Sequence, residues 1–170
     1  MIGRDILENQ AKIVYLGIGS NLGNKKNNIE KAKYKIHQND IKILKCSSYY
    51  ESLSWPNPKK PKFLNIVLKI CTKLKPIELL KICKEIETSL GRKKNYKNAP
   101  RECDIDIIDY HKIKSIKEIS LPHSRMHSRN FVLIPLFEID KDWIHPISRY
   151  HIKKLILLLP YRDITSIKKI

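Results

Sequence analysis

The stretch Pro100-Arg101-Glu102-Cys103-Asp104-Ile105-Asp106 constrains this chain more than any other. Asp104 and Asp106 alternate with apolar Ile105 and Ile107, and Ile108 follows. Residues two apart on a strand share a face. The segment is therefore expected to be a strand with both carboxylates side by side and the isoleucines turned to a core. Two like charges so close raise each other's pKa unless a cation lies between them. Mg²⁺ suits that position, because it takes one or two carboxylates and leaves its other sites to water and substrate phosphates. Arg101, just before the strand, can grip a phosphate bidentately. Paired carboxylates can also be a plain solvated strand face. Arg101 and a second basic cluster, Gly91-Arg92-Lys93-Lys94 through Lys97, favour a metal-phosphate site.

A chain of 170 residues fits one domain with a sizeable core. It has no apolar run of about 18 residues, the length a membrane span needs. Met1 to Gln10 carries Asp5 and Glu8 and lacks the apolar region of a signal peptide. Cys46, Cys71, Cys83 and Cys103 form no CxxC pair and no metal-finger spacing, so structural thiols in a reducing cytoplasm are expected. The net charge of +17 suggests anionic partners. Lysine, isoleucine and asparagine are all abundant, however, which compositional bias alone explains. The scarcer arginines say more, and Arg92, Arg101 and Arg129 each sit beside other motif residues.

Along the chain, Ile13 to Ile18 reads as a strand entering the turn Gly19-Ser20-Asn21-Leu22-Gly23-Asn24. A helix is expected over Lys25 to Gln38, with Ile29, Ala32 and Ile36 on one face. A second strand follows over Ile41 to Glu51. Pro56, Pro58 and Pro61 make Ser52 to Lys62 a loop. Phe63 to Thr72 is a third strand. Pro76 opens a helix whose stripe is Ile77, Leu80, Cys83, Ile86 and Leu90, and Gly91 ends it. Asp104 to Tyr110 is the fourth strand. The order is βαββαβ, the ferredoxin-like split unit of an α+β fold. A strand or small hairpin is expected over Lys112 to Ser120, and helices covering the sheet over Phe131 to Ile139 and Ile152 to Leu159.

Other residues invite two readings. Gly17, Gly19 and Gly23 either cradle a phosphate or make a tight strand-to-helix turn, and neither the P-loop nor the dinucleotide pattern is complete. Phe63 and Asn65 share a strand face. Phe offers a stacking surface and Asn both donors and acceptors for a heterocycle edge, but on their own a core Phe63 and a satisfied polar Asn65 are the favoured reading. His123, after Leu121-Pro122, is on its own a loop histidine.

Together these motifs resemble the 6-hydroxymethyl-7,8-dihydropterin pyrophosphokinase family of folate biosynthesis. The matching pieces are Tyr15 to Gly23, Ser47 to Ser52, Phe63-Leu64-Asn65, Ile86 to Arg92, Pro100 to Asp106, Leu121-Pro122-His123 and Arg129 to Leu136, in family order. The resemblance implies a single pyrophosphokinase domain with residues 1–12 as an extra lead-in, and transfer of pyrophosphate from ATP to the pterin with release of AMP. It assigns two Mg²⁺ ions to Asp104 and Asp106. It assigns the ATP site to Glu87, Arg92, Lys97, Arg101, Ile107, Ser120, His123 and Arg129, with Arg92 and Arg101 as the catalytic arginines. It assigns the pterin to Ser52, Leu53 and Trp55 of the loop, to Asn65 as edge reader, and to a clamp of Phe63 and Phe131. The implied partners are small molecules, with no nucleic acid, no membrane and a monomeric cytoplasmic protein. Three departures stand out. Lys97-Asn98-Ala99 replaces the family's Arg-Trp-Gly, Leu53-Ser54-Trp55 replaces a Pro-containing pattern, and the usual Gln is absent near Lys59-Lys60. They imply weaker closure over ATP and altered pterin affinity. The RNA recognition motif shares the βαββαβ order, but its aromatic RNP pattern is missing here, and Asp104 and Asp106 would repel a phosphate backbone.

Overall fold

The computed structural model describes residues 10–93, 98–115 and 118–170. Its strands are β1 (Lys12–Ser20), β2 (Lys42–Cys46), β3 (Tyr50–Ser52), β4 (Phe63–Thr72), β5 (Asp104–Tyr110) and β6 (Lys168–Lys169). Its helices are α1 (Lys25–Gln38), α2 (Pro76–Ser89), α3 (Asn130–Ile139), α4 (Ile152–Leu157) and α5 (Tyr161–Ser166). The expected bounds of α1, β4 and β5 match. The expected second strand is two strands: β2 pairs with the far half of β4, from Lys42 opposite Cys71, and β3 with the near half, from Tyr50 opposite Asn65. The break at 47–49 is held by Ser47, whose Oγ accepts the Val67 N–H.

All pairings are antiparallel, in the order β5-β1-β4-β3-β6 with β2 also on β4. The period-two pattern of β1 sends Val14, Leu16 and Ile18 to one face, where they pack with Ile29, Ala32 and Ile36 of α1 and Leu79, Cys83 and Ile86 of α2. Tyr15, Val67 and Ile108 face the other way, against Val132, Leu133 and Leu136 of α3 and Leu155 of α4. The α2 stripe differs from the expected one. Ile77 is exposed, and Leu79 and the acidic Glu87 are buried in its place.

Strand β5 carries a bulge that alternation alone does not foresee. Asp109 lies opposite Tyr15 and Ile107 opposite Leu16, so Ile108 is the extra residue. Asp104, Asp106 and Ile108 keep one face, and the bulge then turns Asp109 to that side as well. There Trp143 Nε1 donates to it at 2.9 Å, while burial raises its pKa. In place of the expected hairpin after β5, a single bridge joins Ser115 to Leu121, and residues 116 and 117 lie outside the described residues. Helix α5 and strand β6 were not foreseen. The chain end docks on β3 through Ile170 N–H to Tyr49 O. No described helix is long and apolar enough to cross a membrane.

Glu138 of α3 ties this end together. It accepts from Ser48 N and Oγ at 2.9 and 2.7 Å and from Lys169 Nζ at 2.8 Å. Burial alone would raise its pKa, but the Lys169 and Ser48 hydrogen bonds outweigh that and push it down to about 2. A depressed carboxyl stabilises the fold above its unfolded pKa and loses that contribution as pH falls. Denaturant midpoints should therefore fall from pH 5 toward pH 2, and Glu138→Gln should flatten part of that slope. An identical slope in the variant would refute this assignment.

Candidate functional site

The site is a cavity of about 770 Å³ on the α3 side of the sheet. Its floor is β1 between β4 and β5. Gly19 lies opposite both Asn65 and Asp104, and Gly17 opposite Asp106. A Cβ at Gly19 would stand 3.1 Å from Asn65 Oδ1 and 3.2 Å from Phe63 Cδ1. These two glycines lie within β1 rather than in the turn that follows it. They keep the strand bare so that side chains of both neighbours converge over it. Gly23, at φ +63°, serves the turn into α1.

Asp104 and Asp106 project from one face of β5 into the cavity, as their spacing requires. Each is matched by cations. Arg92 Nη1 and Arg101 Nη2 donate to Asp104 at 2.7 and 2.5 Å. Arg129 Nη1 is 3.2 Å from Asp106, and His123 Nε2 is 3.7 Å away. Burial would raise the Asp104 pKa, but the charge and hydrogen bond of Arg101, then Arg92, hold it below the ordinary value. His123 is pushed down by burial more than Asp106 raises it, so it is neutral at pH 7.

Behind Asp104 stands Glu87, 1% exposed. Its Oε1 accepts the Ile105 N–H at 2.7 Å and pairs with Lys84 at 2.9 Å, and its Oε2 pairs with Arg92 at 2.5 Å. One buried carboxylate thus fastens α2 to β5 and aims Arg92 into the cavity. Two further donors await acceptors: the buried Nε atoms of Arg101 and Arg129 have no hydrogen-bond partner among the described residues. Burying an unmet charged donor is costly.

The remaining wall is aromatic. Phe63, Phe131 and Trp55 line it, and each carries a guanidinium on its face: Arg101 on Phe63 at 5.2 Å, Arg129 on Phe131 at 5.4 Å, and Arg125 on Trp55 at 5.1 Å. Asn65 is buried, and its Nδ2 donates to Tyr50 O at 3.2 Å and Ser52 Oγ at 2.9 Å. Both donors serve the protein, which leaves Oδ1 as its acceptor toward the cavity. Ser52 and Leu53 line the same wall.

Most residues that the sequence singled out converge here. Two do not line the cavity: Ile107 packs in the core on the opposite face, and Ser120 is exposed near the Leu121 bridge. Lys97 lies outside the described residues. Sequence reasoning missed Asn21, which is 4% exposed and joins three loops. Its Oδ1 accepts Arg101 N–H at 2.8 Å, and its Nδ2 reaches Pro61 O at 3.1 Å and Ser54 Oγ at 3.4 Å. Lys60, where the usual Gln is absent, donates to Asn98 O at 2.7 Å and so links two of the same loops. Cys83 and Cys103 are buried, and burial pushes both thiols up to about 12. Structural thiols are the reading this supports.

A family model for 7,8-dihydro-6-hydroxymethylpterin-pyrophosphokinase matches residues 15–141. The chain belongs to this family. It is 42% identical to the 2-amino-4-hydroxy-6-hydroxymethyldihydropteridine pyrophosphokinase of Aquifex aeolicus, over 83% of this chain and 88% of that one. It is 36% identical to the Bacillus subtilis protein of the same name, over 75% and 77%. A Dictyostelium discoideum folic acid synthesis protein is 40% identical over 87% of this chain, which spans only 22% of that longer protein. Among solved structures, a Plasmodium falciparum HPPK-DHPS with pteroate superposes with a TM-score of 0.72 at 16% identity, covering 95% of this chain and 47% of that one. That likeness speaks for the α+β fold. Membership makes this chain a pyrophosphokinase, a transferase of folate biosynthesis.

Glu87→Ala would leave the Ile105 N–H buried and unmet and free Arg92 from α2. A loss of about 1–3 kcal/mol in unfolding free energy is expected from the unmet donor. Chemical denaturation reads it, and unchanged stability would contradict the fastening role.

Proposed function

We propose that this chain transfers the β,γ-diphosphoryl group of ATP to the hydroxymethyl oxygen of 6-hydroxymethyl-7,8-dihydropterin. The new bond joins that oxygen to the β-phosphorus, the bridge between the α- and β-phosphorus breaks, AMP leaves, and the hydroxyl proton goes to solvent. The observation that carries this reading is the convergence of two strand carboxylates, three arginines and an aromatic wall on one glycine floor.

Asp104 and Asp106 are the residues that would hold Mg²⁺, two ions by family resemblance, and the metal supplies charge neutralisation on the phosphates. The donor set fits: two hard oxygen ligands on one strand face suit Mg²⁺ and leave its other positions to phosphate and water. Arg92, Arg101 and Arg129, which line the cavity, bind the phosphates. Neutral His123 donates to the nucleotide. Glu87 orients Arg92. The family resemblance also assigns Ile107, Ser120 and Lys97 to ATP, although Ile107 and Ser120 do not line the cavity. Phosphoryl-group transfer depends on positioning and charge stabilisation, so no strong general base is needed.

The pterin ring lies between Phe63 and Phe131, and Asn65 Oδ1 accepts from its amide edge. Ser52, Leu53 and Trp55 bound it on the loop side. The ferredoxin-like description is supported by the βαββαβ order and by β1 lying between β4 and β5. Residues 1–170 act as one domain, and the lead-in ends before Lys12, which is the first residue of β1. The protein acts as a monomer, and four free thiols support a reducing cytoplasm.

Release of AMP from ATP and Mg²⁺, with and without the pterin, tests the proposal. Pterin-dependent AMP without ADP is expected. Asp104→Ala and Asp106→Ala should each lower the rate at least a hundredfold, the scale of losing one electrostatic stabiliser (~10²–10³), with unfolding still cooperative. Near-normal turnover in either would refute the carboxylate assignment. Asn98→Trp restores the aromatic that the family carries beside Pro100. It should tighten ATP binding, and an unchanged ATP affinity would count against the closure account.

A further inference from the structure

Arg125 is the one arginine lining the cavity without an acidic partner: among the described residues no carboxylate pairs with it. Its charge lies beside His123 and Arg129, and it lowers the pKa of both, as one cation does to another. Its backbone N–H donates to His123 Nδ1 at 3.2 Å, which fixes where the side chain starts. What receives the guanidinium is the indole of Trp55, 5.1 Å away at the ring centroid.

Trp55 is half exposed at 51% and belongs to the loop between β3 and β4. The base of that loop is well tied. Ser54 Oγ donates to Pro61 O at 2.6 Å, and Lys62 pairs with Glu51 at 2.8 Å. Trp55 instead reaches across to the segment that carries His123, Arg125 and Arg129. Arg129 also stacks on it, at 5.8 Å, but is committed to Asp106 and Phe131. Arg125 has no second commitment. A cation–π contact at an exposed site shifts a population by roughly two- to fivefold, which holds a loop without locking it.

We infer that Trp55 and Arg125 form a clasp that draws the β3–β4 loop over the cavity mouth and retains the pterin, with Arg125 as a positioning residue rather than a phosphate ligand. This rests on the pterin lying under that loop, as proposed above. The clasp sets pterin affinity and leaves ATP affinity alone, because the phosphates are held by Arg92, Arg101 and Arg129 on other elements. Arg125 acts through Trp55, so once Trp55 is removed the loss of Arg125 has no further effect. Arg125→Ala should therefore weaken pterin binding, and the double variant should weaken it no more than Trp55→Ala does.

Two readouts on the full chain decide it. The chain has two tryptophans, and Trp143 is 3% exposed, so Trp55→Phe supplies the Trp143 baseline for fluorescence. In the ligand-free protein, Arg125→Ala should raise acrylamide quenching of Trp55 about twofold, consistent with losing one such contact. With Mg²⁺ and a non-hydrolysable ATP analogue present, the pterin dissociation constant should rise roughly two- to fivefold in Arg125→Ala, and the double variant should match Trp55→Ala. Affinity for the analogue should stay within about twofold, since Arg125 makes no phosphate contact in this account. Unchanged quenching in Arg125→Ala, additive losses in the double variant, or a large loss of analogue affinity in Arg125→Ala alone would each overturn the clasp. A wild-type protein that binds no pterin, while Arg125→Ala still unshields Trp55, would instead sink the pterin site and leave the contact standing.

Discussion

A charge taken out of water must be matched where it lies. In this chain the constraint falls on Glu87, and much of the site follows from it. Its carboxylate is buried in the helix stripe where an apolar residue would normally sit. It is matched by a backbone N–H of β5, by Lys84 and by Arg92. Those partners come from different elements, so satisfying one buried charge fixes α2 against β5 and sets the direction of Arg92. Arg92 in turn meets Asp104, which meets Arg101, whose backbone N–H is held by Asn21. A chain of pairings runs from the core to the floor of the cavity.

The same logic explains the ligand-free arrangement. The carboxylates assigned to metal and the arginines assigned to phosphate neutralise one another, and the guanidiniums rest on the aromatic faces assigned to the pterin. Each group is thus stabilised before its ligand arrives, and binding exchanges these pairings for contacts to metal, phosphate and ring. The glycine floor is the geometric complement: bare backbone at Gly17 and Gly19 gives Asn65, Phe63, Asp104 and Asp106 a common space.

Period-two alternation made β1, β4 and β5 legible, because one buried face imposes it directly. Helix bounds were legible where a cap or Pro76 marks them: Asn24 Oδ1 accepts the Asn27 N–H at 3.1 Å at the start of α1. The carboxylate pair was legible because strand geometry forces two residues to a shared face. Three things were not. The bulge at Ile108 is a tertiary choice that turns Asp109 toward Trp143, and nothing in the local alternation announces it. Glu87 breaks an apolar stripe, so pattern reading took the stripe through Ile77 and Leu80, whereas the structure buries Leu79 and Glu87. Asn21 lies in a turn where Asn is ordinary, and only the fold reveals its three loop contacts. Arg125 gave no signal beyond its scarcity, since its partner lies 70 positions away in sequence.

In the proposed site the carboxylates admit a polyphosphate only when a metal shields them, and the arginines then hold it. The most direct measurement is equilibrium binding of a non-hydrolysable ATP analogue in Mg²⁺ and in EDTA at fixed ionic strength. The account predicts binding at least tenfold tighter with Mg²⁺, the scale of about 1.4 kcal/mol set by one unshielded carboxylate near a phosphate. Equal affinity in the two conditions would contradict it, because Asp104 and Asp106 would then have no part in holding the nucleotide.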